Sequence, residues 1–169
     1  MQASWLNQRG MDTADMRRNT GALLLVCLLA VTVAQAQSGP SAELRILPLL
    51  REQMVAANAH DTDRFLTSFF HDASLIFVIN GEVIRGFDNL HERQLKWWNY
   101  GKSDATYTEQ TPPDFVSLNS KTVLVTQQLA SRRTMPDGKP SEGKFVVTTI
   151  WRRLPAGWRV IYCHESRAL

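Results

Sequence analysis

The sequence predicts an α+β domain in which helices come first and strands come last. Apolar residues recur at spacings of three and four in several stretches up to residue 100, which is typical of helices that bury one side. From residue 105 onward, β-branched and aromatic residues become frequent. An Asn-Gly pair at 80–81 separates two short apolar runs, and this is a strong signal for a β-hairpin.

Three helices are predicted, and they cover residues 43–59, 62–70 and 89–100. Pro48 lacks a backbone N–H and fits the first turn of a helix, so the first helix is expected to begin near it. Asp61 and Asp88 each precede a helical pattern, where a carboxylate accepts hydrogen bonds from free backbone N–H groups. Both aspartates are therefore predicted N-caps.

The strands follow from β-forming runs and turn residues. The hairpin is expected to join residues 74–79 to residues 82–85. Residues 105–118 have an extended pattern, but Pro112 and Pro113 interrupt it, which predicts two short strands or one bulged strand. Longer strands are predicted at 122–132, 144–154 and 157–166, with a polar loop at 135–143.

The last predicted strand carries the main candidates for chemistry. Its alternate residues are Trp158, Val160, Tyr162, His164 and Ser166. Because alternate side chains of a strand share a face, this face begins apolar and ends polar. That order predicts a strand that starts in the core and ends at the mouth of a pocket. The opposite arrangement, with Cys163 and Glu165 facing the pocket, stays open.

The beginning of the chain has the pattern of a secretory signal peptide. A basic start at Met16-Arg17-Arg18 precedes an apolar run at 21–33 and an A-x-A site at 34–36. The run is shorter than the roughly 20 residues of a membrane span. The prediction is a signal peptide at 1–36, with Met16 as an alternative start, a linker at 37–43 and a domain at 44–169. The mature protein is expected to be periplasmic or secreted, without membrane attachment.

Charge, cysteine and histidine content narrow the range of partners. The net charge is only +3, which does not favour nucleic acid. Cys27 lies in the apolar run, so Cys163 alone would remain after cleavage and no internal disulfide could form. No two of the four histidines have the spacing of metal ligands, and no nucleotide-binding fingerprint occurs, so neither a metal nor a cofactor is expected.

Four short motifs resemble a known family. They are N-A-H-D at 58–61, F-H-D-A at 70–73, G-F-D at 86–88 and W-R-V-I-Y-C-H-E-S at 158–166. Together they resemble the SnoaL-like branch of the nuclear transport factor 2 superfamily, with Tyr162 standing where that branch commonly has a histidine. The resemblance implies a cone, in which a curved mixed β-sheet wraps around N-terminal helices and leaves an apolar pocket. It also implies a homodimer formed through the outer face of the sheet.

The pocket of such a cone would hold the candidate site. The expected lining residues are Phe77, Trp97, Trp98, Gln127, Tyr162 and His164. On one strand face Tyr162 and His164 would lie about 7 Å apart, where histidine can accept a proton and tyrosine can donate a hydrogen bond. They are the candidate catalytic pair, and the alternative is a histidine with a purely structural role.

Three functions stay open. The first is binding of a small apolar or amphipathic molecule, and the second is an isomerase, cyclase or hydrolase reaction through Tyr162 and His164. The third is a non-enzymatic oligomerisation domain, as in the association domain of the calmodulin-dependent kinases. The mechanism of the steroid isomerase branch is not expected, because no acid lies between Asp72 and Glu82 or within 122–131, where that branch carries its acids.

Overall fold

A computed structural model describes residues 41–135 and 137–167. The predicted signal peptide at 1–36 and the linker up to residue 40 lie outside the described residues. The helices are α1 (Ala42–Asn58), α2 (Thr62–Leu66) and α3 (Phe87–Trp97). The strands are β1 (Ile76–Ile79), β2 (Glu82–Arg85), β3 (Thr106–Glu109), β4 (Asp114–Asn119), β5 (Thr122–Thr134), β6 (Pro140–Leu154) and β7 (Gly157–Arg167).

Within the described residues, the seven strands form one mixed sheet. Its order is β2-β1-β7-β6-β5-β3, and β4 also pairs with β5. The pairing of β1 with β7 is parallel, and every other pairing is antiparallel. The sheet is curved and unclosed, and the helices lie with it in one domain, which confirms the predicted α+β fold.

Helix α1 begins earlier than predicted. The Ser41 hydroxyl caps it by accepting a hydrogen bond from the backbone N–H of Leu44 at 3.4 Å. Pro48 therefore lies inside the helix on its exposed side, and the prediction of a start near Pro48 is wrong. The Leu44 carbonyl loses its helical partner at Pro48, but Leu44 is 65% exposed, so water can satisfy that carbonyl. Residues 42–43, expected in the linker, belong to α1.

Helix α2 is shorter than predicted because the residues that follow the helix pair with strand β7. Asp61 is the N-cap, as predicted, and its carboxylate accepts a hydrogen bond from the backbone N–H of Arg64 at 3.0 Å. Phe69 then forms a bridge to Val160. The backbone N–H of Phe70 donates to the Val160 carbonyl at 2.9 Å. This pairing ties the α2 region to β7.

Helix α3 is displaced from its predicted range at both ends. Gly86, with a φ of 84°, is the N-cap in place of Asp88, which lies in the first turn. A carboxylate there still interacts favourably with the helix dipole. The helix ends at Trp97, because Asn99 and Tyr100 adopt positive φ values of 47° and 53°.

The hairpin and the long strands fit local turn chemistry and pairing. Asn80 and Gly81 have φ values of 51° and 78°, the pair of positive values that a type I′ turn needs. Strand β5 pairs with β6 along all 13 of its residues. Residues 140–143 of the stretch that was predicted as a loop therefore continue the sheet.

A β-bulge in β7 changes which side chains face the helices. On the ladder between β6 and β7, Ile150 pairs with Tyr162. The next pair is Trp151 with Val160, which leaves Ile161 as an extra residue. Inward-facing residues of β7 are even-numbered before the bulge and odd-numbered after it. The uninterrupted alternation predicted for this strand is therefore wrong beyond Val160.

Candidate functional site

A cavity of about 450 Å³ lies between the helices and the inner face of the sheet. Helix α1 lines it with Leu50, Gln53, Met54 and Ala57. Phe65 and Phe69 line it from the α2 region, and Gln94, Trp97 and Trp98 line it from α3 and the turn after it. The opposite wall consists of inward-facing side chains of β1, β3, β5, β6 and β7. The cavity is thus enclosed by most elements of the fold.

Strand pairing arranges the sheet wall in rows of neighbouring side chains. The first row holds Phe77, Cys163 and Thr149, which are all buried. The second row holds Ile79, Glu165, Val147 and Gln127. The third row holds Arg167, Phe145 and Leu129. The last two rows hold Gly143 with Ser131 and Ser141 with Arg133. The wall therefore changes from a buried, mainly apolar deep end to an exposed, charged open end.

Two aromatic residues of the cavity wall, Trp98 and Tyr107, are joined by a hydrogen bond. The indole N–H of Trp98 donates a hydrogen bond to the Tyr107 hydroxyl at 3.0 Å. This leaves the hydroxyl proton of Tyr107 free to be donated. Burial raises the pKa of Tyr107, although the hydrogen bond from Trp98 acts in the opposite direction. Tyr107 is therefore a neutral hydrogen-bond donor within the cavity wall.

The N-A-H-D motif positions this aromatic pair. Asn58 accepts a hydrogen bond from the backbone N–H of Tyr107 at 2.8 Å, and its amide donates to the Tyr107 carbonyl at 3.0 Å. A ring nitrogen of His60 lies 2.7 Å from the Ala105 carbonyl. The His60 ring also packs edge-on against Trp98, with 5.9 Å between ring centroids. The motif thus holds β3 against the end of α1.

An acidic and a basic side chain lie together in the middle of the wall. Glu165 is only 15% exposed, and its carboxylate lies 3.5 Å from the guanidinium of Arg167. Burial raises the pKa of Glu165, and Arg167 opposes that shift. A carboxyl group in this position can exchange a proton nearer to neutral pH than an exposed glutamate can.

The structure separates the predicted site residues into two groups. Phe77, Trp97, Trp98 and Gln127 line the cavity. Tyr162 and His164 do not, because the bulge turns them to the outer face of the sheet, where His164 is exposed. Their expected place in the pocket is wrong, and this geometry gives them no contact with a molecule in the cavity.

Several cavity residues were not predicted from the sequence. Arg167 was not named at all, and Glu165 was expected at the pocket only in the alternative arrangement of β7, because nothing in the local sequence marks the bulge that both residues follow. Arg133 could have been found, because it shares the strand parity of Gln127 on β5. Cys163 was assigned to the opposite face, and burial raises the pKa of its thiol far above the ordinary range. A thiol held protonated in this way is unreactive.

Two features are absent from the residues that the structure describes. Among residues 41–135 and 137–167, no three His, Cys, Asp or Glu side chains are grouped as metal ligands would be. Across that same part of the chain, no helix has the length and hydrophobicity needed to span a membrane.

The chain is similar to solved structures of one fold. A nuclear transport factor 2-like superfamily protein from Salmonella enterica serovar Typhimurium superposes with a TM-score of 0.66 and 16% identity, over 75% of this chain and 91% of that one. A ketosteroid isomerase-like protein from Erwinia carotovora atroseptica gives 0.62 and 16%, over 77% and 99%. The S. rosetta CaMKII hub gives 0.61 and 18%, over 77% and 99%.

These similarities concern the fold alone. No protein-family model matches the chain, and no curated protein matches it. The structural neighbours confirm the predicted nuclear transport factor 2-like cone. Their descriptions range from an isomerase-like protein to a kinase hub, so the fold by itself does not select an activity.

Proposed function

We propose that this nuclear transport factor 2-like domain is exported and binds a small apolar or amphipathic molecule in the cavity between its helices and its sheet. The cavity is the observation that carries the proposal. Its volume of about 450 Å³ lies within the roughly 300–1,000 Å³ of small-molecule sites. Aromatic and aliphatic side chains dominate the deep end, and a few polar groups lie where they could orient a ligand.

The polar groups suit recognition of one oriented molecule. The Tyr107 hydroxyl is fixed by Trp98 and can donate to a ligand. The amides of Gln94 and Gln127 are buried and line the cavity. Buried polar groups lower affinity for a ligand that leaves them unpaired, so they favour a molecule with matching polar atoms.

Filling the cavity tests the proposal. Val147 lies on the cavity wall, whereas its neighbour Val146 lies on the outer face. Val147→Trp should weaken binding of the neutral fluorescent probe N-phenyl-1-naphthylamine by at least about tenfold, because the indole occupies ligand space. Val146→Trp is the matched control and should bind the probe like the unmodified chain.

Circular dichroism and thermal unfolding of both variants would verify that they are folded. Equal probe binding by the two folded variants would contradict a ligand site in this cavity.

Native mass spectrometry tests export and the natural ligand together. The chain is purified from the periplasm of its expression host and measured before and after denaturation. The expected protein mass corresponds to a chain that begins at Gln37, since cleavage is predicted after Ala36. A bound molecule should add mass in the native spectrum and be lost on denaturation. A full-length mass in the cytoplasmic fraction alone would contradict export.

A second proposed property is self-association through the outer face of the sheet. An apolar stripe crosses five strands there, and it consists of Val116, Leu124, Ile150, Tyr162 and Ile76. Val116 is 52% exposed, and the other four side chains are only partly buried. His164 lies on the same face beside the stripe. This position suits a role for Tyr162 and His164 in contact between two copies.

A further inference from the structure

We infer that the ligand of the cavity is an amphipathic anion, a monocarboxylate whose head group binds at Arg133 and whose apolar part extends toward Phe77. This inference rests on the proposed ligand-binding function and specifies the class of molecule. Three independent features of the cavity carry it. These are the charge at the open end, an opening left by a glycine, and the apolar character of the deep end.

The cavity wall holds two arginines and two glutamates, and both glutamates lie within ion-pair distance of an arginine. Arg133 and Arg167 contribute the two guanidinium groups, and Glu165 contributes a partly buried carboxylate that lies beside Arg167. Glu142 also borders the cavity, but its carboxylate lies 3.5 Å from the guanidinium of Arg132. Among the described residues of the wall, Arg133 is therefore left without a paired acid.

Arg133 is the group that is available to an anion. Within the described part of the chain, no carboxylate lies within ion-pair distance of its guanidinium. Asp104 lies near enough to feel its charge, but the Asp104 carboxylate accepts a hydrogen bond from the backbone N–H of Thr134 at 2.7 Å. An arginine can bind a carboxylate through two parallel N–H donors, which gives both strength and orientation.

A glycine keeps the wall open next to this arginine. Gly143 lies in the interior of β6 and faces Ser131 across the β5–β6 ladder. A Cβ atom at Gly143 would meet the Ser131 hydroxyl at 3.6 Å, which is an ordinary contact. The backbone therefore does not require glycine at this position. The β5–β6 ladder has no bulge at Gly143, and a strand glycine without a bulge marks a bend or a place where a ligand or another backbone approaches closely.

The deep end of the cavity suits the apolar part of such a molecule. Phe65, Phe69, Phe77, Ile79 and Leu50 surround it. Arg133 lies six positions after Gln127 on β5, which corresponds to about 20 Å along an extended strand. A head group at Arg133 therefore leaves room for a medium-length alkyl chain or a fused-ring skeleton in the apolar region.

The test compares three probes that share a tail and differ in head group. Dodecanoate, dodecanol and dodecylammonium are each titrated against N-phenyl-1-naphthylamine bound to the full chain. Dodecanoate should bind about tenfold more tightly than dodecanol, and dodecylammonium should bind more weakly than dodecanol. Arg133→Gln should remove the preference for dodecanoate without changing the affinity for dodecanol.

Arg152→Gln is the matched control, because Arg152 is an exposed arginine on the outer face of the same sheet and does not line the cavity. It should retain the preference for dodecanoate. Equal affinities for dodecanoate and dodecanol would overturn the inference and leave the proposed ligand binding intact. If both arginine variants lost the preference for dodecanoate to the same extent, the inference would also be overturned, since the effect would then be one of net charge. Failure of the naphthylamine probe to bind the unmodified chain would instead contradict the proposed function.

Discussion

Glu165 is the residue whose environment departs most from that of an ordinary surface acid. Its neighbours in the second row of the cavity wall include Ile79 and Val147, and its side chain is only 15% exposed. Burial raises its pKa because the charged form loses hydration. The guanidinium of Arg167 lies 3.5 Å from the Glu165 carboxylate and offsets part of this loss of hydration. The chain thus retains an acid in a wall where an apolar residue would fit, which is consistent with a role toward a ligand.

Replacing Glu165 is expected to change how stability depends on pH. The folded state holds its proton more tightly than the unfolded state does, so the free energy of unfolding falls as pH rises from the reference pKa of 4.5 through the raised value. Glu165→Gln should therefore show a smaller fall in the free energy of unfolding as the pH rises above the reference pKa of 4.5. Urea unfolding at several pH values would measure this difference.

Asp72→Asn provides a control of opposite sign. Hydrogen bonds from Ser74, whose backbone N–H lies 2.8 Å from the carboxylate, lower the pKa of Asp72. The stabilisation from Asp72 is present above the ordinary aspartate pKa and disappears as pH falls. Asp72→Asn should thus lose stability at neutral pH and little at acid pH. An unchanged pH profile in Glu165→Gln would contradict the assigned burial of Glu165.

At the scale of single elements, α1 and β7 each contain an irregularity. In α1, Pro48 interrupts the hydrogen bonds of a helix that is capped by Ser41 and continues to Asn58. In β7, the bulge at Ile161 shifts the side-chain pattern by one residue. The bulge has the larger consequence, because it places Glu165 rather than His164 in the cavity.

Pro48→Ala should stabilise the protein by about 1–2 kcal/mol, because it restores a helical hydrogen bond and removes a steric clash, while the unfolded chain gains some freedom. Pro48 is exposed, so no core contact is lost. Denaturant unfolding would measure the gain. Arg51→Ala, at another exposed position of α1, is the control and should change stability by less than about 0.5 kcal/mol. A loss of stability in Pro48→Ala would mean that the proline favours the native bend of the helix.

The whole molecule has two surfaces of different chemistry, one on each side of the sheet. The inner face combines with the helices to form the core and the cavity. The outer face carries the apolar stripe, which the described part of the chain leaves partly exposed. Apolar surface of this kind on a folded domain commonly marks a contact with another protein.

Ile150→Asp tests the proposed self-association. Ile150 lies between Leu124 and Tyr162 in the apolar stripe, so a carboxylate there would face the same apolar surface of a second copy without a partner. The variant should dissociate at concentrations at least about tenfold higher than the unmodified chain does. Light scattering after gel filtration at several concentrations would measure this.

Gln128→Asp is the control for that variant, since Gln128 is exposed on the same face outside the stripe. It should leave the oligomeric state unchanged. A monomeric unmodified chain at every concentration would contradict the proposal.

The order of helices and strands could be predicted because local sequence controls it. Asn80 and Gly81 adopt positive φ values, which asparagine tolerates and glycine adopts freely because it lacks a Cβ atom, and Asp61 caps a helix through its own carboxylate. The cavity positions of Phe77 and Gln127 likewise follow from period-two patterns in uninterrupted strands. In each case, a few neighbouring residues determine the conformation.

The positions at which helices and strands end, and the set of residues that line the cavity, depend on contacts between distant parts of the chain. Helix α2 ends early because Val160, far along the sequence, pairs with Phe69 and Phe70. Strand β6 begins within the predicted loop, at Pro140, because β5 offers a continuous partner there. Local propensity is a weak guide where such pairing supplies most of the stabilisation.

By itself, the sequence determined the α+β class, the hairpin, the aromatic character of the cavity and the polar end of β7. Only the tertiary structure decided which polar residues of β7 enter the cavity. The physical reason is the extra residue at Ile161, which exists only where β7 pairs with β6 and follows the curvature of the sheet. One added residue moves every later side chain to the opposite face. Glu165 and Arg167 thereby became part of the candidate site, and Tyr162 and His164 became part of the outer surface.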